Sequence, residues 1–351
     1  MIKNKNLLVL AAILIVLLAV SLAQKSSHRK ATTGAATATV LDGTFTADQL
    51  ERITVALGED EPTVELVATP TGWVIASAWD SRANPERVDA LLRNLGDLRG
   101  EFRSESEAVL ADYGLDAGAA VKVRAFDKAG QPVIALDIGG SPERATGNFI
   151  RRPDSPAVYL SPTNLLSHVG LYNGPAQPQS RHFLDMQAFQ ADRLAVDSLI
   201  VEDETGRREM VKEFAVVEPL TQPGEAVTEA PAAPETDRTT WEWKLTVPRN
   251  AVLAKTKADG VLGAAVSVRA IDVDDPGAEP ASYGLGEAAR RVTLVLEDGT
   301  RQTLAFGGKR EADGDRQAGV WMRVEGDPTV WVVSQYAVDN IFKPVADLLP
   351  E

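Results

Sequence analysis

The sequence predicts an α+β fold: an N-terminal transmembrane helix, then two tandem repeats, each a mainly antiparallel sheet with one long helix. Three observations carry this expectation. Trp73 in Gly72-Trp73-Val74 has a counterpart at Trp243, 170 residues on, and Tyr113-Gly114-Leu115 recurs as Tyr283-Gly284-Leu285 at the same offset. Between these anchors, Val88, Leu91, Leu92, Leu95 and Leu98 are matched 170 residues later by Ala258, Val261, Leu262, Ala265 and Val268. Spacings of three and four mark one face of a helix. A period this long signals a duplicated domain, because solenoid repeats run ~20–50 residues.

Bulk properties agree with two domains. A chain of 351 residues suits two units at a prior of ~150 residues each. Its 44% apolar and 25% charged residues are ordinary for a globular protein. Net charge is −14, and residues 1–44 hold Lys3, Lys5, Lys25, Arg29 and Lys30 against Asp42 alone. The acidic excess therefore lies beyond residue 44, on a surface that repels phosphates, so no nucleic-acid partner is expected. There is no cysteine. That excludes disulfides, thiol catalysis and cysteine metal sites, and leaves the redox compartment open.

Taken in order, the chain opens with an apolar run from Leu7 to Ala23, preceded by Lys3 and Lys5. Its 17 residues reach the short end of the ~17–25 that span a bilayer. Ser21-Leu22-Ala23 also fits a cleaved signal peptide, but the run exceeds a typical signal core and Lys25, Arg29 and Lys30 crowd the mature side. Residues 1–23 are read as an anchor in the inner (cytoplasmic) membrane, single-pass, with the bulk of the chain extracytoplasmic. Residues 24–44, rich in Ser, Thr, Ala and Gly, are read as a flexible tether.

The first repeat spans 45–188 and the second 189–351. Phe45-Thr46-Ala47-Asp48-Gln49-Leu50 opens one, Phe189-Gln190-Ala191-Asp192-Arg193-Leu194 the other. A Pro/Ala/Glu-rich stretch at about 218–238 lengthens the second and is too poor in large apolar residues to pack. Strands are expected at about 52–57, 63–68 and 72–77, a helix at about 84–99, and strands at about 120–126, 132–138, 147–151 and 156–160. Asn84 and Pro85 suit a helix start. Lys128-Ala129-Gly130 and Asp298-Gly299 suit hairpin turns.

No constellation of side chains announces chemistry. Gly139-Gly140 and Gly307-Gly308 lack the Lys-Ser/Thr and helix start of a phosphate loop and are read as turns. Asp272, Asp274 and Asp275, and separately Glu311, Asp313 and Asp315, lack the spacing of a calcium loop and are read as solvated acidic loops. His28, His168 and His182 are scattered and show no metal-ligand spacing. Ser161, Ser167 and Ser180 have no evident base. Trp73, Trp243, Tyr113 and Tyr283 are read as core aromatics whose tyrosine hydroxyls bond nearby backbone. Trp321 and Trp331 are the better candidates for a partner surface. No catalytic, cofactor-binding or metal residue is assigned, and no cofactor is expected.

The order of these parts resembles the bacterial family catalogued as domain of unknown function 4340: a membrane helix, then a repeated unit with a Gly-Trp strand, an Ala/Leu helix, a Tyr-Gly-Leu element and hairpins ending near a Val-Tyr strand. Here these are Gly72-Trp73, the helix with Val88 to Leu98, Tyr113-Gly114-Leu115 and Val158-Tyr159. The second copy departs in lacking glycine before Trp243. The resemblance implies a non-enzymatic, membrane-anchored extracytoplasmic binding or accessory protein, associated with an ABC-type export system of the gliding-motility kind. Its permease, its ATPase or an auxiliary extracytoplasmic subunit would be the partner. The alternatives are a cell-envelope hydrolase using paired carboxylates and a ligand-free envelope scaffold.

Overall fold

The structure, a computed structural model, describes residues 37–41, 45–217, 235–286, 289–314 and 316–351. The expected anchor at 7–23, most of the tether and residues 218–234 of the insertion lie outside these. Among the described residues no helix is long and apolar enough to cross a membrane.

The first sheet contains β1 (Thr37–Leu41), β2 (Leu50–Leu57), β3 (Val64–Thr69), β4 (Gly72–Ile75), β5 (Ser81–Arg82), β6 (Leu98–Ser104), β7 (Val121–Asp127), β8 (Pro132–Ile138), β9 (Asn148–Arg151) and β10 (Val158–Ser161). Helix α1 (Pro85–Gly96) connects β5 to β6. The second contains β11 (Gln187–Gln190), β12 (Val196–Asp203), β13 (Gly206–Val217), β14 (Glu235–Val247), β15 (Ala251–Val252), β16 (Ser267–Asp274), β17 (Arg290–Leu296), β18 (Arg301–Arg310), β19 (Gly319–Val324) and β20 (Val330–Val333). Helix α2 (Lys255–Val266) connects β15 to β16, and α3 (Gln335–Ile341) and α4 (Val345–Leu348) follow β20.

Both sheets are antiparallel and ten-stranded. Their orders are β1-β6-β10-β9-β8-β7-β2-β3-β4-β5 and β11-β16-β20-β19-β18-β17-β12-β13-β14-β15. Each strand of the second stands where the strand ten earlier stands in the first. With one 12-residue helix alongside each sheet, the architecture is mostly β and fits α+β at the coarse level. The chain divides into two compact units, residues up to 71 with 86–182, and residues 72–85 with 183–351. The second sheet begins at Gln187, beside the expected division near 188, while 72–85 group with the later unit.

The helix-face pattern is correct in both copies but runs one position too far. Val88, Leu91, Leu92 and Leu95 are buried on α1, and Ala258, Val261, Leu262 and Ala265 on α2. Leu98 and Val268 are instead strand residues, the first of β6 and the second of β16. Each enters a strand that follows its helix almost directly and stays inward, 1% exposed, so apolar spacing alone cannot separate the two elements. Full burial of each such side chain contributes roughly 1.5–3 kcal/mol.

Three more corrections concern segments without strong patterns. Thr37–Leu41, expected as tether, is a strand pairing with β6 from Thr37↔Glu101 onward. It is five residues long, too short for its alternation to stand out, yet Val40 is buried. β6 itself, Leu-Arg-Gly-Glu-Phe-Arg-Ser, is too polar to read as a strand. At the insertion, residues 235–238 belong to β14, which pairs with β13 as far as Val217↔Glu235. The hairpin expectations hold. Gly130 and Gly299 have φ of 74° and 81°, and the Asp127 and Asp298 carboxylates accept main-chain N–H bonds inside their turns.

Candidate functional site

Charged and aromatic side chains gather where β13 and β14 meet α2. Alternation along β14 puts Trp241, Trp243 and Leu245 on one face, and the register sets Lys212 against Trp243 and Phe214 against Trp241. On α2, Lys255 and Asp259 are one turn apart and so share a face. The Asp259 Oδ1 accepts both indole N–H groups, from Trp243 at 2.8 Å and Trp241 at 3.1 Å. Its Oδ2 accepts from the Lys255 ammonium at 3.0 Å. Trp243 is 0% exposed and Trp241 6%.

Cations surround these rings. The Nζ atoms of Lys255 and Lys212 lie 4.0 and 4.2 Å from the Trp241 ring centre, and the Arg193 guanidinium 5.4 Å from it. Arg238 lies 4.4 Å over Phe214 and pairs with Asp197 at 2.5 Å and Glu297 at 3.3 Å. Such contacts contribute ~0.5–2 kcal/mol each, most where water is excluded. Lys212 donates to the Arg193 carbonyl at 2.5 Å.

Burial pushes the Lys212 ammonium down to about 8; the Arg193 and Arg238 charges add to this, and Asp259 and Asp197 oppose it. Burial would raise the Asp259 carboxyl, but the hydrogen bonds from Trp243, Lys255 and Trp241, with the Lys255 charge, hold it below the usual carboxylate range. A carboxylate with both oxygens engaged is a clamp. The chemistry on offer is binding at a cationic corner backed by buried indoles, with the Arg193 and Lys255 side chains about half exposed at its rim.

The repeated motifs meet one another. Gly139-Gly140 follows β8, and Gly307-Gly308 lies within β18 at a register shift between Phe306 and Lys309; neither pair is the expected turn. Each passes beneath its own Tyr-Gly-Leu element, with the Gly140 N–H donating to the Tyr113 carbonyl at 2.9 Å. The core reading of the aromatics holds for Trp243 and for Tyr283, whose hydroxyl donates to the Asp275 carbonyl at 3.0 Å. Trp73 and Tyr113 are half-buried. Trp331 is not a surface residue: it is 2% exposed and donates to Asp327. Trp321 packs at a tilt against Tyr283, ring centres 5.1 Å apart, and donates to Asp274.

The acidic groups divide. Glu311 and Asp313 are exposed, as expected of loops, and Asp315 lies outside the described residues. Asp272 and Asp274 instead sit on β16 and hold the buried Arg310, at 2.8 Å and 3.7 Å. The β18–β19 hairpin brings that guanidinium over them, an approach no local pattern reveals. Ser161 accepts from the Thr163 N–H, Ser167 donates to the Asn164 carbonyl and Ser180 to the Thr63 carbonyl; the first two close local turns and the third ties two residues distant in the chain. His28 lies outside the described residues, and among the rest no three His, Asp or Glu side chains are arranged to hold a metal ion.

Residues 73–236 match the family model Domain of unknown function (DUF4340). The DUF4340 match begins at the repeated Trp73 and ends within β14, so it takes in Arg193 and Lys212 but stops short of Trp241, Trp243 and Asp259. No curated protein and no solved structure matches the chain. Sequence reasoning misses Lys212 and Asp259. For Asp259 a signal exists: an aspartate stands 16 residues after the repeated tryptophan in both copies, as Asp89 and Asp259. For Lys212 there is none, because a lysine in a strand ordinarily faces water.

Proposed function

We propose that this protein is a non-enzymatic, membrane-anchored extracytoplasmic binding or accessory protein that works beside an ABC-type export system. One observation carries the reading: the apolar run from Leu7 to Ala23, with lysines ahead of it, precedes two units whose sheets share one strand order. An anchor and a tether holding a duplicated sheet domain suit a protein that engages a membrane partner. The cationic rim at Arg193 and Lys255 supports binding. The hydrolase alternative gains no support from Asp272 and Asp274, the carboxylates that share Arg310. Burial would raise the Asp274 carboxyl, but Trp321, Arg316 and the Arg316 charge hold it below the usual range, the reverse of what a general acid needs.

The test is a mild-detergent pull-down of the full-length tagged protein from its native host, beside a form starting just before Thr37 so that β1 is kept. Recovery of a permease or ATPase by the anchored form supports the reading. Recovery of the same set of proteins as an untagged control sinks it.

A further inference from the structure

The last stretch of the first unit, from Pro162 to His182, has little regular structure; it is seated by the buried Leu165, Leu166 and Val169 and fastened further by individual polar side chains. The Asn148 carboxamide oxygen accepts from the Leu166 N–H at 3.2 Å. Thr63 donates to the Pro178 carbonyl at 2.7 Å, and Ser180 donates to the Thr63 carbonyl at 2.8 Å. A further fastening is His182, where this unit ends. Its ring lies directly on Gly170, whose φ of +83° closes the turn Leu166–Val169; a side chain there would stand 2.8 Å from His182 Cβ and Cγ. The ring also hydrogen-bonds the His168 main chain, and Arg87 donates to the His182 carbonyl.

We propose that residues 162–182 form a strap that acidification loosens, with His182 as its latch. The closed strap accommodates a neutral ring. The charged groups acting on it are Arg87, from α1, and His168, across the strap; both are basic, as is the adjacent Arg181. A proton on His182 therefore places a second cation beside Arg87 in a partly dry site. Opening the strap returns the ring to water, where it protonates freely.

Burial, and then the Arg87 charge, push His182 down to about 4 against the main-chain hydrogen bond at His168, which favours the protonated ring, and burial pushes His168 below its usual value. Because both folded values are depressed, the closed state keeps its full stability above the free-histidine value of ~6.5 and loses it as pH falls toward 4. For His182 alone this raises the opening equilibrium roughly tenfold between pH 7 and pH 5.5.

Native-state hydrogen exchange of the full chain at pH 7 and 5.5, corrected for intrinsic rates, tests this. Peptides from 162–182 should lose about tenfold in protection at pH 5.5 while β7 and β8 keep theirs. His182→Gln, which retains a donor but does not titrate, should remove most of that pH response. Equal strap protection at the two pH values, or a full response in His182→Gln, overturns the proposal. Should the variant fail to fold, a ring titration of the unmodified protein decides instead: a His182 midpoint near the free value of ~6.5 overturns it, and one near 4 upholds it.

Discussion

A methyl group placed on Gly139 would collide with the carbonyl oxygen of Tyr113, and the same relation joins Gly307 to Tyr283. Two motifs that the sequence shows as separate repeats are thus one contact made twice. Neither Gly139 nor Gly307 has a positive φ, so the requirement is space and not backbone conformation. Overpacking of this kind costs ~1–3 kcal/mol. Gly139→Ala and Gly307→Ala should each lower stability by about that amount in urea unfolding. Gly130→Ala, where nothing lies within 4 Å, should show only the smaller penalty of its φ of +74°, about 1 kcal/mol.

The same contact separates what is legible in the sequence from what is not. The duplication, the helix faces and the hairpins at Lys128-Ala129-Gly130 and Asp298-Gly299 rest on periodicity and turn chemistry, which are local. Which repeated motif touches which is not local, since the whole β7–β8 hairpin lies between Tyr113 and Gly139. Asp274 escapes a local reading for a similar reason. Its run of aspartates looks solvated until a distant hairpin delivers Arg310. The Asp259 clamp depends on a strand and a helix meeting at a set angle; the repeated 16-residue spacing from Trp243 marks the aspartate, but not the two indoles that it holds.

Asp259 satisfies two buried indole N–H groups with one oxygen. Asp259→Ala leaves both donors without an acceptor, and a buried unmet donor costs ~1–3 kcal/mol. The second unit should lose about 2–4 kcal/mol in denaturant unfolding, with a shift in tryptophan emission. Asp259→Asn keeps an acceptor oxygen for the indoles and gives up the ionic partner of Lys255, so its loss should be less than half as large. Equal losses in the two variants would show that charge, and not indole satisfaction, is what Asp259 supplies.

Lys212 sets a pH signature. Its folded value, about 8, lies below the ordinary lysine value of 10.5, so between these limits the unfolded chain holds the extra proton. Stability should therefore rise as pH increases from 8 to 10.5, and below that window the penalty for burying the charge is fully present. Lys212→Met keeps the length of the stem and removes the titration. Denaturant midpoints at about pH 7.5 and 10 should show a smaller upward trend in Lys212→Met than in the parent. An identical trend in both would assign the effect to another group.

Asp137 in the first unit carries the sharpest stability prediction. Its carboxylate is 2% exposed and accepts from Arg124 at 2.7 Å and from Arg151 at 3.0 Å, so one buried anion separates two largely buried cations. Removing it leaves two guanidinium groups facing each other without their shared counter-charge, and breaking a buried pair in this way costs ~3–5 kcal/mol. Asp137→Ala should therefore destabilise the first unit by about that amount in urea unfolding. The desolvation of three charges is itself expensive, so the triad need not be a net source of stability. Replacing Asp137, Arg124 and Arg151 together by apolar residues of similar volume should recover most of the loss, to within about 1–2 kcal/mol of the parent. A triple variant as unstable as Asp137→Ala alone would mean that the two arginines hold β7, β8 and β9 together by more than their shared anion, as the Arg124 bond to the Leu136 carbonyl at 2.7 Å allows.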